Sequence, residues 1–148
     1  MSVLSQLNAV CDVIRPHVTV PVMVGRPDSS IPGLYVWPWR LEVKSEWSNR
    51  PPRPSRPEAA SPVSDPILNT RLLLLPIPAL DAESLASLEN AQLVLHDHPL
   101  LTVNGAQLRV APETPLSVAE LSSLFIAAQL PLSLCAAFVL SVQSPTVA

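Results

Sequence analysis

The spacing of apolar side chains predicts helices at three places along the chain. Near the N-terminus the apolar positions recur at helical spacing and predict an amphipathic helix over residues 3–15; they are Val3, Leu4, Leu7, Val10, Cys11 and Ile14. Asp81 is suited to cap a helix over residues 82–96. Ser117 and Glu120 form a capping box, which predicts a third helix over residues 118–129.

Strands are predicted between these helices. The β-branched run at 17–24 contains Pro21, which favours an edge strand because proline cannot donate to a sheet. Within residues 33–48 the odd positions carry apolar side chains and the even positions 40, 42, 44 and 46 carry charged ones, the period-two pattern of a long strand with one apolar face. Three further strands are predicted at 71–75, at 107–111 after the turn signal Asn104-Gly105, and at 132–142.

Residues 49–66 differ from the rest of the chain. They contain six prolines and no apolar periodicity, which is typical of a polyproline-leaning loop or arm. Three arginines stand at every third position, so a polyproline II helix would align them along one edge. The order of elements around this arm predicts one domain over residues 1–148, of mixed α/β class, with a mixed sheet flanked by helices.

Composition narrows the function classes. Only 14% of the 148 residues are charged and 48% are hydrophobic, which argues against a disordered protein. The net charge of -3 argues against nucleic acid as a partner, since duplex binding needs a basic face. The first residues lack the basic segment and apolar core of a secretory signal, so we expect synthesis and assembly in the cytoplasm.

The residues that usually carry chemistry are sparse. His96 and His98 are too few and too near each other to complete a metal site, and a solvated helix end is the simpler interpretation. Cys11 and Cys135 lie in apolar runs with no histidine beside them, as expected of core thiols rather than nucleophiles. We therefore expect no catalytic residue, no metal and no cofactor.

The aromatic strand and the arm provide the candidate protein interface. Tryptophan and arginine are enriched at interface centres, and eight such aromatic or basic residues follow one another here. They are Trp37, Trp39, Arg40, Lys44, Trp47, Arg50, Arg53 and Arg56. From Ile77 onward Arg109 is the sole cation against six acidic residues, so a basic edge and an acidic edge favour head-to-tail association into a ring. Solvated surface charges are the alternative.

The C-terminal region has two interpretations. No charged side chain follows Glu120, and an uncharged segment such as 121–148 could anchor a membrane protein by its tail. Pro131 breaks the periodicity in the middle of this segment, which favours a helix followed by a strand. A tail-anchored membrane protein and a non-enzymatic protein-binding adaptor therefore stay as alternatives.

Several of these patterns together resemble a known family. The helix at 3–15, the strand Leu34-Tyr35-Val36-Trp37, the strand within 65–75, the acidic-capped helix at 81–99 and the helix start Pro115–Leu121 are similar to the cap, or tube-terminator, proteins of phage-tail-like contractile injection systems, of the antifeeding-prophage and virulence-cassette type. Two features depart from the family pattern. Pro76-Ile77-Pro78 stands where the family would have aromatic residues, and we do not expect this chain to carry the C-terminal extension of larger members.

The resemblance implies a structural role. Copies of such a protein form a hexameric ring that terminates the inner tube and ties it to the sheath, at the end distal to the baseplate. The implied partners are further copies of the chain and the tube and sheath proteins of the same particle. Whether the particle acts inside or outside its cell, or against a membrane, stays open.

Overall fold

The computed structural model describes residues 2–43, 68–78, 81–113 and 116–143. Three helices and six strands, with one 3-10 turn, make up this part of the chain. In chain order they are α1 (Val3–Ile14), the 3-10 turn (Arg15–His17), β1 (Val22–Val24), β2 (Gly33–Val43), β3 (Leu68–Ile77), α2 (Ala82–Asp97), β4 (Leu100–Val103), β5 (Ala106–Pro112), α3 (Val118–Ala127) and β6 (Ala136–Val142).

All six strands belong to one sheet in the order β1-β2-β3-β6-β5-β4. The short edge strand β1 runs parallel to β2, and every other pair is antiparallel. Strand β6, the last in the described residues, lies between β3 and β5 and joins the N-terminal and C-terminal parts of the sheet. This mixed sheet with helices against it confirms the predicted fold class.

Helices α1 and α2 cover one face of the sheet and form the main core. The most deeply buried members of this core are apolar side chains from both helices and four strands: Val10, Ile14, Leu34, Val36, Leu72, Leu74, Leu95, Leu108 and Leu140. One polar contact lies among them, because the Thr70 hydroxyl donates to Gln6 Oε1 at 3.2 Å and both side chains are buried. Burying these polar groups is tolerable because they satisfy each other.

Helix α3 lies against the opposite face. Its N-terminus is fixed as the capping box predicted, since Ser117 Oγ accepts a hydrogen bond from the Glu120 amide at 3.1 Å. Trp37, Leu73 and Ala137 are register partners on β2, β3 and β6, and they form the sheet side of a second, smaller apolar cluster. Phe125 is the one buried residue of this helix, and much of the helix surface is exposed.

The structure corrects two strand predictions. Strand β4 was not predicted; it pairs with β5 across Asn104 and Gly105, whose positive φ values of 51° and 80° suit a tight hairpin turn. The single apolar face predicted for residues 33–48 is wrong for the first half of β2, where Leu34 and Val36 are as buried as their odd-numbered neighbours. A strand in the middle of a sheet covered on both faces is apolar on both.

Several strand boundaries differ from the prediction, while one position in the sheet is confirmed. Strand β3 runs over Leu68–Ile77, twice the length predicted at 71–75. The first strand is limited to Val22–Val24, although it does lie at the sheet edge as Pro21 indicated. The last strand begins at Ala136, not at 132. The predicted succession of a helix and a strand after Glu120 is confirmed by α3 and β6.

Candidate interaction surface

A β-bulge in β2 determines where the candidate side chains point. Pro38 pairs with Leu72 and Arg40 pairs with Arg71, so Trp39 is an extra residue in the ladder. The inserted residue shifts the alternation of side chains. Before the bulge, the even-numbered Leu34 faces the α1 and α2 side of the sheet. Beyond the bulge, the even-numbered Arg40 faces the α3 side, because it pairs with Arg71.

An ion-pair network follows the bulge on this face. Arg71 Nε donates to Glu42 Oε1 at 2.9 Å, and Arg40 Nε donates to the same oxygen at 2.8 Å. The other end of the Arg71 guanidinium donates to Glu113 Oε1. Because Glu113 follows β5 and its amide donates to the Ala137 carbonyl at 3.0 Å, Arg71 links the β2–β3 pair to the far half of the sheet.

Glu113 is the buried member of this network. Its side chain is 2% exposed, and its Oε2 atom has no hydrogen-bond partner among the described residues. Glu42 has two cationic partners, whereas Arg71 is the one cation that pairs with Glu113 in the described part of the chain. Arg71 is therefore the residue on which this buried carboxylate depends.

Trp37 lies on the face of the sheet that α3 covers and packs against that helix. Its ring meets the ring of Phe125 edge-on, with centroids 6.5 Å apart and an interplanar angle of 87°. Such T-shaped pairs are a favoured aromatic geometry. Trp37 is 8% exposed, so the structure places this candidate in the core of its own chain, and an interface role for it stays a prediction.

Trp39 forms one wall of an open groove against α3. The groove has a volume of about 380 Å³, and its other lining residues are Ala119, Glu120, Ser123 and Leu124. The lining is mostly apolar, and Glu120 supplies the one acidic group on it. The indole Nε1 of Trp39 has no hydrogen-bond partner among the described residues. We call this feature the Trp39 groove.

The outer side of α3 is unusually apolar. Val118 is 73% exposed and Ile126 is 75% exposed, and the loop that follows exposes Leu132 and Leu134. No charged side chain follows Glu120 in the sequence. These exposed apolar side chains give this part of the molecule the composition of an interface centre rather than of a solvated face.

The remaining interface candidates lie outside the described residues. They are Lys44, Trp47, Arg50, Arg53 and Arg56, together with the whole of the predicted arm at 49–66. The ends of this segment are known, because Val43 and Leu68 are register partners on β2 and β3. The 24 residues between them therefore leave and return at the same end of the strand pair.

Neither cysteine is an exposed thiol, since Cys11 is buried in the main core and Cys135 packs against the cluster beneath α3. Burial raises the pKa of the Cys11 thiol to about 11, although nearby Arg15 opposes the shift. Burial also raises the pKa of Cys135. Within the described ranges no group of three or more His, Cys, Asp or Glu side chains is placed to hold a metal ion. None of the described helices combines the length and the hydropathy of a membrane-spanning segment.

Comparison with solved structures identifies the fold. The sheath/tube terminator of PVC, an extracellular contractile injection system, superposes in its extended state with a TM-score of 0.66 and 11% identity, over 96% of this chain and 56% of that one. The tube-terminating cap of the anti-feeding prophage superposes with a TM-score of 0.64 and 12% identity, over 96% of this chain and 54% of that one. This chain has a tail-terminator-like fold.

The likeness is structural and partial in length. The tail-terminator-like chain spans about half the length of the two solved caps that it matches. No family model matches the sequence, and no curated protein matches it either. The resemblance inferred from the helix and strand patterns is thus confirmed at the level of the fold.

Part of this surface could be predicted from the sequence and part could not. The tryptophan strand and the basic bias were visible as patterns. The Trp39 groove was missed because its α3 wall is some 80 residues away along the chain, and the Arg71–Glu113 pair was missed because Arg71 begins an apolar run. The isolated acidic residue Glu113, between apolar β5 and the capping box, was the available signal.

Proposed function

We propose that this chain is a structural cap of a contractile injection system, which terminates the inner tube and ties it to the sheath at the end distal to the baseplate. The observation that carries the proposal is the superposition of nearly the whole chain on two tube-terminating caps from such particles. On this proposal the chain is not an enzyme, and its partners are further copies of itself and the tube and sheath proteins of its particle.

The proposed assembly is a ring of six copies. The charge distribution supports head-to-tail contacts: five of the nine cations lie between residues 40 and 56, whereas the chain beyond Ile77 is acidic apart from Arg109. Contacts between unlike surfaces close into a ring when the rotation between copies is a whole fraction of a turn. The apolar outer side of α3, around Val118 and Ile126, gives such contacts a core that excludes water.

The cap role is tested by particle length. Particles assembled without the chain should have tubes and sheaths of widely varying length in electron micrographs, because nothing ends their polymerisation. Adding the chain back should restore one narrow length class. Particles of unchanged, uniform length in its absence would contradict the proposal.

The ring is tested separately by native mass spectrometry of the purified full chain. A species of six copies supports it. A monomer that stays monomeric even in the presence of tube ends contradicts the ring and favours the adaptor alternative.

A further inference from the structure

We propose that the Trp39 groove of one copy binds residues 50–57 of a second copy, held as a polyproline II helix; this inference rests on the proposed ring. The groove has an aromatic wall and one acidic side chain, and the segment has an edge of prolines and an edge of arginines to match them. The 24 residues between Val43 and Leu68 are enough to extend to a neighbouring copy.

The groove has the composition that polyproline II segments recognise. Such segments dock on aromatic-lined grooves because proline rings pack flat against an indole. Trp39 supplies the indole. On the opposite wall, Ala119 and Ser123 are one helical turn apart on α3, and their small side chains leave space for a ligand. The α3 wall from Ala119 to Leu124 is about 7.5 Å long and one turn of a polyproline II helix is about 9 Å long, so about one turn of the 50–57 segment enters the groove and the rest lies outside it.

The sequence at 50–57 matches that requirement. Arg50-Pro51-Pro52-Arg53-Pro54-Ser55-Arg56-Pro57 has proline at 51, 54 and 57 and arginine at 50, 53 and 56. With three residues per turn, these two sets form adjacent edges of one helix, one apolar and one basic. The apolar edge suits the indole wall, and the basic edge is complementary to the Glu120 carboxylate on the groove.

The length of the segment allows a second copy as its source. Half of the 24 residues between Val43 and Leu68, extended at about 3.1 Å per residue, would reach about 37 Å from the strand pair. The separation of charge favours that source, because the arginines of one copy and the Glu120 carboxylate of the next would form a head-to-tail contact.

Crosslinking tests which copy supplies the segment. Two tagged forms of the full chain, one with Ser55→Cys and one with Ser123→Cys, are mixed in a Cys135→Ser background and treated with a short bismaleimide. The expected product is a dimer that carries both tags. The matched control pairs Ser123→Cys with Ser30→Cys, an exposed turn residue, and should give no such product. When both cysteines stand in one chain, a product confined within single chains would overturn the inference, as would the absence of any crosslink in assembled rings.

A peptide titration separates this inference from the ring itself. A peptide of residues 49–58 is added to the full chain in which the three arginines and three prolines of the two edges are replaced by serine, so that the chain's own segment does not compete; they are Arg50, Pro51, Arg53, Pro54, Arg56 and Pro57. We expect saturable binding that weakens at least about tenfold in Trp39→Ala, and about fivefold in the milder Glu120→Gln, which keeps the capping box. Binding without a six-copy species would contradict the proposed function alone. A six-copy species without binding, or equal binding in Trp39→Ala, would overturn the groove.

Discussion

Replacement of Arg71 by methionine should destabilise the fold by far more than the loss of an ordinary surface ion pair. Methionine keeps the long apolar stem but removes the guanidinium that donates to both Glu42 and Glu113. Glu42 would keep Arg40 at 2.8 Å. Glu113, whose side chain is 2% exposed, would have no cationic partner left among the described residues.

The size of the effect follows from burial. Breaking a buried pair by removing one partner costs about 3–5 kcal/mol, because an uncompensated charge is left in a poorly hydrated site. Arg71 is itself 30% exposed, so water screens part of the interaction. We therefore expect Arg71→Met to lower the free energy of unfolding by about 2–3 kcal/mol, which moves the urea midpoint down by about 1 M at an m-value of about 2 kcal/mol/M.

Urea titrations of three variants test this reasoning. The double variant Arg71→Met/Glu113→Gln removes the stranded charge and should be more stable than Arg71→Met by at least about 1 kcal/mol. The matched control is Arg15→Met, which breaks a pair with Asp12 whose side chains are 51% and 71% exposed, and should cost less than about 0.5 kcal/mol. Equal losses in Arg71→Met and Arg15→Met, or no recovery in the double variant, would refute the role given to Glu113.

Three further predictions concern the core, a helix cap and the thiols. Leu74→Ala removes a fully buried side chain and should cost about 2–5 kcal/mol in urea unfolding, whereas Leu41→Ala, at a site 54% exposed, should cost less than about 1. Ser117→Ala should cost about 1 kcal/mol because it removes a cap bond to α3, and Asp81→Ala should cost less because its side chain makes none; equal losses would contradict this. With the pKa of Cys11 about 11, only about one thiolate in a thousand exists at pH 8, so Cys11 should react with a thiol reagent only after unfolding; fast reaction in the native state would contradict its burial.

Local signals in the sequence placed the elements that are governed by local interactions. The capping box at Ser117 and Glu120 marks the start of α3, and its hydrogen bond is present at 3.1 Å. Asp81 does occupy the N-cap position of α2, but its side chain makes no cap bond. Pro21 correctly indicated an edge strand, because proline has no backbone N–H to donate to a neighbouring strand.

Features set by pairing between distant segments were beyond the sequence alone. The bulge at Trp39 depends on the register between β2 and β3, and nothing within β2 specifies that one residue is extra. Strand β4 has only four residues, too few to show alternation, although the Asn104-Gly105 signal beside it was seen. The partner of Arg71 lies 42 residues away at Glu113, across the sheet. The Trp39 groove combines both effects, since it needs the bulge and the packing of α3.

The most direct test of the proposed cap is its position on the particle. A gold-labelled tag on the full chain should appear in electron micrographs at one end of extended particles, the end distal to the baseplate, and nowhere else. Label distributed along the sheath, label at the baseplate end, or particles that never carry the chain would contradict a tube-terminating role.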